Sequence, residues 1–200
     1  MRRILLAIVV LAVIFALSCG EDQPIYPQWW LSASSPFNAL SDLIFCFDNY
    51  ETEPNVIKLV DSIISEDFTF YFDPNDVGEQ MGDYAIPEYW GKDEFMQAVN
   101  NMFNQAYKIN FIIPILDQGE DAFGKPAGGD TTFVKNLVTI NLILMVDATM
   151  GYQAQGFCDF EFHKGSTGLW QVFAWRDHTG SSICTQATSL GHILAMYYQP

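Results

Sequence analysis

The chain has 200 residues, half of them apolar, which suits one domain with a sizeable core once a processed N-terminus is set aside. Charged residues make up only 16%, and they are lopsided, 24 acids against 9 bases. That balance argues against nucleic acid as a partner and against docking on anionic lipid through a basic patch, since both need clustered Lys and Arg; small neutral or cationic ligands and partner proteins stay open.

In chain order, Arg2 and Arg3 form a basic start and residues 4–17 an uninterrupted apolar run. Such a run is short for a bilayer span and suits the apolar region of a signal peptide. It ends in Ala16-Leu17-Ser18-Cys19-Gly20, which resembles the lipobox of bacterial lipoproteins. The resemblance implies cleavage of the signal peptide 1–18, acylation of the Cys19 thiol, and a lipid anchor at the bacterial cell envelope, on the outer membrane or periplasmic face. Loss of Arg2 and Arg3 leaves seven bases against 24 acids, a net of −17. Two or three acyl chains hold a protein to a membrane where one does not. Residues 19–34 are polar and Pro-bearing, the composition of a tether, interrupted by Trp29 and Trp30.

The domain is expected over 35–200. Ser35-Pro36 is a good helix start, and Phe37, Leu40, Leu43, Ile44 and Phe47 recur at helical spacing. A second helix opens near Thr52 or Pro54, with Val56, Leu59, Val60, Ile63 and Ile64 on its apolar stripe. The alternating aromatics of 67–73 predict a strand, ended by Pro74-Asn75-Asp76. Residues 77–91 read as irregular with one short strand over 85–89, and 92–104 as a third helix. The period then switches to two. Strands are predicted over 107–113, 134–147, 152–164 and 169–177, with a flexible Gly- and acid-rich loop over 118–130. Cys158, Phe160 and Phe162 alternate with Asp159, Glu161 and His163 on one of these strands. A last helix is expected over 188–198.

This order of elements resembles the nuclear transport factor 2-like (SnoaL-like) superfamily. The supporting residues are Glu66-Asp67-Phe68-Thr69-Phe70 after two helices, Trp90-Gly91-Lys92-Asp93-Glu94-Phe95 opening the third, and Gly168-Leu169-Trp170-Gln171-Val172 with Trp175-Arg176-Asp177 on the last strand. The resemblance spans 35–177 and implies an α+β cone, three N-terminal helices packed on a curved antiparallel sheet. Cones of this kind enclose a pocket in some members and serve assembly or transport in others, so the fold does not fix the function.

An enzyme of this kind needs an Asp or His at the pocket, tuned near neutrality, to move a proton beside a carbonyl. Asp159, His163 and Asp177 are the candidates; a solvated outer sheet face explains Asp159, Glu161 and His163 equally well. Arg176 and Asp177 are adjacent on a strand and point to opposite faces unless a bulge intervenes. Arg176 is expected in an ion pair with a helix or loop acid. Trp175 shares the parity of Asp177 and reads as aromatic core or as pocket wall. Trp175, Arg176 and Tyr71 are the candidate ligand-binding residues.

No metal site and no cofactor are expected. The three His are scattered, no C-x-x-C or H-E-x-x-H occurs, and Asp73 to Asp76 lacks the spaced acids of a calcium loop. His178 and His192 read as ordinary surface or end-of-element residues. With Cys19 acylated, Cys46, Cys158 and Cys184 remain; Cys46 and Cys158 fall on apolar faces, and a Cys158–Cys184 bridge is open although the balance is against any bridge.

Three function classes follow. The preferred one is a lipid-anchored, non-catalytic module that binds a small apolar ligand or an envelope partner protein. The alternative is a SnoaL-like isomerase, dehydratase or cyclase; a dimeric assembly domain, a homodimer through the sheet, is a third.

Overall fold

The computed structural model describes residues 31–179 and 188–198. Helix α1 (Pro36–Asp48) starts where the sequence places it, the Ser35 hydroxyl accepting the Asn38 N–H at 3.2 Å. Helix α2 (Val56–Ile63) opens after Asn55 and gives way at once to β1 (Ile64–Tyr71), so Ile64 is the first residue of the strand and not the last of the helical stripe. The stretch read as irregular holds a small hairpin, β2 (Gln80–Met81) and β3 (Tyr84–Ala85), turned at Gly82 in the left-handed region. Strand β4 (Tyr89–Trp90) follows and pairs with β1. Helix α3 (Lys92–Gln105) begins with the Glu94 carboxylate accepting the Gly91 N–H, which satisfies one of the orphan donors at that end.

Beyond α3 come β5 (Lys108–Ile112), a 3₁₀ turn (Leu116–Gln118) and the one-turn helix α4 (Glu120–Phe123). The expected loop is therefore partly folded, because Phe123 is fully buried and packs edge-on against Phe37 and Phe162. The long strands β6 (Thr132–Met145), β7 (Gly151–Lys164) and β8 (Trp170–Thr179) follow, and helix α5 (Leu190–Tyr197) closes the described chain, capped by the Ser189 hydroxyl.

The six-stranded sheet runs β4-β1-β8-β7-β6-β5. It is mixed rather than antiparallel: β1 and β8 run parallel, with Tyr71 beside Arg176, and every other pairing is antiparallel. A parallel neighbour needs a long crossover, and α3 with the β5–β7 meander provides one. Irregularities at 135–138 of β6 and near Phe162 of β7 bend the sheet. Its inner face carries Phe70, Phe111, Val138, Leu142, Phe160, Phe162 and Val172, which meet the buried sides of α1, α2 and α3. The result is the α+β cone, helices on the concave face of a curved sheet.

Residues 31–33, placed in the tether by composition, are bonded to this body. The Asp42 carboxylate accepts the N–H groups of Leu31 and Ala33, the Ala33 carbonyl accepts the Trp170 N–H, and Ala33 is buried. Residues 1–30, which hold the expected signal peptide, Cys19, Trp29 and Trp30, lie outside the described residues. Among the described residues no helix is long and apolar enough to cross a membrane.

Candidate functional site

The candidate residues fall on two faces. Trp175 and Asp177 point inward. Trp175 is 0% exposed, ringed by Phe70, Phe95, Phe111 and Phe160 at centroid distances of 5.8, 6.0, 6.1 and 4.8 Å. Its indole N–H finds no acceptor of normal geometry, the Cys158 sulfur offering only a weak one. Trp175 is thus core, and no ligand can touch it without displacing those rings.

Asp177 is 2% exposed. Its Oδ2 accepts the Gly191 N–H in the first turn of α5 at 2.7 Å, and its Oδ1 lies 3.6 Å from the Cys158 sulfur. Burial pushes this carboxyl up to about 6 against the pull of the Gly191 donor, and Asp76 and Asp73 nearby push the same way. The Cys158 thiol is driven upward too, by burial first and then by Asp177, so it is an inert core residue. Cys46 is likewise free and buried; Cys184 lies outside the described residues.

The 73–79 turn completes this inner corner. Asp73 accepts from the backbone and side-chain nitrogens of Asn75 and from the Thr179 N–H, which marks a strand-ending turn as expected. Burial alone would raise the Asp73 carboxyl, and these donors bring it below its ordinary value. Asp76 is raised, chiefly by burial, although the Ser189 hydroxyl donates to it. The fold also brings Asp76, Glu79 and His192 together, their ligating atoms all within 4.8 Å of one another. Two carboxylates and an imidazole are a donor set a divalent cation accepts. No spacing rule exposes it, because His192 comes from α5. His192, an end-of-element residue in the first turn of α5, pairs through its Nδ1 with Glu79 at 3.1 Å.

Asp159, Glu161 and His163 lie on the outer face, and they do not act together. Glu161 and His163 pair at 2.8 Å, and the His163 ring stacks on Phe173. Asp159 turns away from them, one oxygen on His178 Nε2 at 3.0 Å and the other accepting the Leu137 N–H at 2.7 Å. His178 is therefore also partnered, at the end of β8 and partly exposed, in keeping with its reading as a surface or end-of-element residue.

Arg176 and Asp177 do point to opposite faces. The expected ion pair of Arg176 with a helix or loop acid is absent among the described residues; instead its guanidinium lies 3.9 Å from the centre of the Tyr71 ring, a cation–π stack. The reason is register: Tyr71 is the neighbour of Arg176 on β1, and Asp159, its neighbour on β7, is already committed to His178 and Leu137. Tyr71 and Arg176 open onto a cleft of about 440 Å³ with Pro74, Val77, Glu88 and His178. A second groove of about 480 Å³ runs between α1 and β5, lined by apolar side chains such as Phe37, Ile44 and Ile113.

No family model matches the chain, and no curated protein matches it. Among solved structures it is similar to a conserved protein from Planctomyces limnophilus, 13% identical over 69% of this chain and 88% of that one, with a TM-score of 0.49. A nuclear transport factor 2-like superfamily protein from Salmonella enterica serovar Typhimurium is 10% identical over 74% and 91%, TM-score 0.49. A ketosteroid isomerase-like protein from Erwinia carotovora atroseptica is 16% identical over 78% and 100%, TM-score 0.45. These likenesses concern architecture alone, and the helix order and mixed sheet of this chain already define that architecture. The fold is α+β, with helices on the concave face of a curved mixed sheet, and architecture leaves the chemistry open.

Proposed function

We propose that the chain is a lipid-anchored protein of the bacterial cell envelope whose folded domain is a non-catalytic binding module. The observation that carries the second part is the closed interior. A proton-transfer enzyme needs its carboxylate or imidazole within hydrogen-bond reach of a substrate, and Asp177 is sealed by Gly191 of α5 while Trp175 and four Phe rings fill the space beside it. The other two acid–base candidates, Asp159 and His163, sit outside in pairs with His178 and Glu161. Binding therefore belongs to the surface clefts. The lipobox-like Ala16 to Gly20 supports the anchor.

A proton-transfer enzyme is the second reading, favoured by one observation: the Asp177 carboxyl is raised to about 6, in the range a general base uses. It requires α5 to leave the corner it fills.

Native mass spectrometry of the full chain, recovered from bacterial membranes in mild detergent, tests the proposal. The expected species lacks residues 1–18, carries a diacylglycerol mass that Cys19→Ser abolishes, and retains a small molecule. A chain that keeps its first 18 residues sinks the anchor. A chain that never carries a small molecule, yet converts a carbonyl substrate only when Asp177 is intact, sinks the binding module in favour of the enzyme.

A further inference from the structure

Arg176 is the only arginine beyond Arg2 and Arg3, in a chain with 24 acids. With so many carboxylates present, pairing it would be the ordinary outcome, and among the described residues it pairs with none. Asp159 lies directly across from it on β7 and spends both oxygens elsewhere. Glu88 lines the same cleft without forming an ion pair with it. The Tyr71 ring instead holds one flat face of the guanidinium at 3.9 Å. Stacking on the face leaves the edge free, and the edge is where the N–H donors lie. The result is a fork of donors held in one plane and open to a cleft.

The rest of that cleft supplies a different surface. Phe72, Pro74 and Val77 form an apolar wall, and the opening of about 440 Å³ lies within the range of small-molecule sites, roughly 300–1,000 Å³. It sits at the rim of the β1–β8 pair and borders Asp177, whose carboxylate is turned inward to the Gly191 N–H.

Resting on the reading of the domain as a binding module, we infer that the Tyr71–Arg176 cleft binds a small organic carboxylate with an apolar body. The carboxylate takes the edge of the guanidinium in a two-point contact, and the body lies against Phe72, Pro74 and Val77. A carboxylate suits a guanidinium fork because two oxygens match two parallel N–H donors, and such charge-assisted pairs are stronger than neutral ones. The cation–π stack contributes by fixing the fork beforehand, so less freedom is lost on binding.

The test uses the full chain in mild detergent and two probes, benzoate for an aromatic acid and octanoate for an aliphatic one, followed by amide NMR shifts and titration calorimetry. At least one probe is expected to shift Tyr71, Val77 and Arg176, and the uncharged amide of the same acid to bind about tenfold or more weakly. Arg176→Gln is expected to weaken the acid about tenfold or more, and Arg176→Lys, which keeps the charge but loses the fork, to recover only part of that. Octanoate alone points to a fatty-acid ligand, benzoate alone to an aromatic acid. The inference is overturned if neither acid shifts the cleft at about 10 mM, or if both bind Arg176→Gln as tightly as the unaltered chain while its NMR spectrum remains that of a folded protein. A retained native ligand that Arg176→Gln does not release would sink the cleft and leave the binding module standing. Asp177-dependent turnover of a carbonyl substrate, in a chain whose cleft still takes the acid through Arg176, would sink the non-catalytic reading and leave the cleft standing.

Discussion

The Asp177 carboxylate and the Gly191 N–H, 2.7 Å apart, join the end of β8 to the first turn of α5 at a place where no side chain fits. A Cβ at position 191 would stand 2.7 Å from Phe72 Cδ1 and 3.2 Å from Phe70 Cε1. Neither ring can yield easily, because Phe70 and Phe72 pack edge-on against each other and Phe72 also against Trp90. Gly191→Ala gains up to about 1 kcal/mol of helix propensity, but overpacking of a filled core costs roughly 1–3 kcal/mol. The expected outcome is a lower urea midpoint with an unchanged m-value. A raised midpoint would show that α5 has slack against the sheet.

The same carboxylate makes stability depend on pH in a defined sense. Its folded value, about 6, lies above the ordinary 3.8, so the folded state holds the proton more tightly than the unfolded state does. Between those values the native chain binds more protons, and stability falls as pH rises through the window. The shift corresponds to something on the order of 3 kcal/mol. Asp42, also raised to about 6 by burial, adds a term of the same sign. Urea unfolding is therefore expected to show a more stable chain at about pH 4.5 than at about pH 7.5, and Asp177→Asn to flatten that difference in part, leaving the shares of Asp42, Asp48 and Asp76, all raised by burial. An identical slope in both proteins would mean that Asp177 titrates alike in the folded and unfolded states, so that burial does not raise its carboxyl.

Which parts of this were legible in the sequence follows from the range of the signals. Helical spacing in Phe37 to Phe47 and alternation in Val138 to Leu144 and Cys158 to Phe162 are local, and each marks a buried face that the fold uses. Alternation also puts Trp175 and Asp177 together on one face and Arg176 on the other, and the fold makes the first of these the inner one. The parallel pairing of β1 with β8 is not local: Tyr71 and Arg176 are brought side by side by a crossover that leaves no periodic trace. Hence the stack that replaces the expected ion pair could not be read, nor could the convergence of Asp76 and Glu79 on His192. The outer position of Asp159 and His163 was one of two readings left open, since parity tells which residues share a face and not which face is concave.

Phe123 shows a different kind of blind spot, and it is open to test. Helix α4 is a single turn between Gly119 and Gly124, both with positive φ, and is too short to display a period. Its Phe123 is nonetheless fully buried, touching Phe37, Phe133 and Phe162. Removing such a ring costs about 3–5 kcal/mol when the site cannot collapse. Phe123→Ala is expected to fall in that range by chemical denaturation. A loss near zero would mean that the 118–130 stretch contributes nothing to the folded state, as composition alone suggests.

Leu137 carries the opposite imbalance, a backbone under strain with a side chain that gains little. Its φ is +54°, in the left-handed region, at the irregularity where β6 shifts register against β7 between Lys135 and Val138. For a residue with a Cβ that conformation costs roughly 1–2 kcal/mol. The side chain is 70% exposed, so little apolar burial offsets it. What holds the bulge is the backbone: the Leu137 N–H donates to Asp159 Oδ1 at 2.7 Å, a contact that survives any substitution except proline. Glycine relieves the strain at a cost of about 0.5–1 kcal/mol in chain entropy, so Leu137→Gly should stabilise modestly, by about 0.5–1 kcal/mol. Leu137→Val should destabilise, because a β-branched side chain is still less tolerant of positive φ. Asp159→Ala should cost about 1 kcal/mol by releasing the anchored N–H. Urea midpoints of the three variants check the set, and a drop for Leu137→Gly would show that the exposed leucine is covered in solution, by a second copy of the chain or by a partner on the outer face.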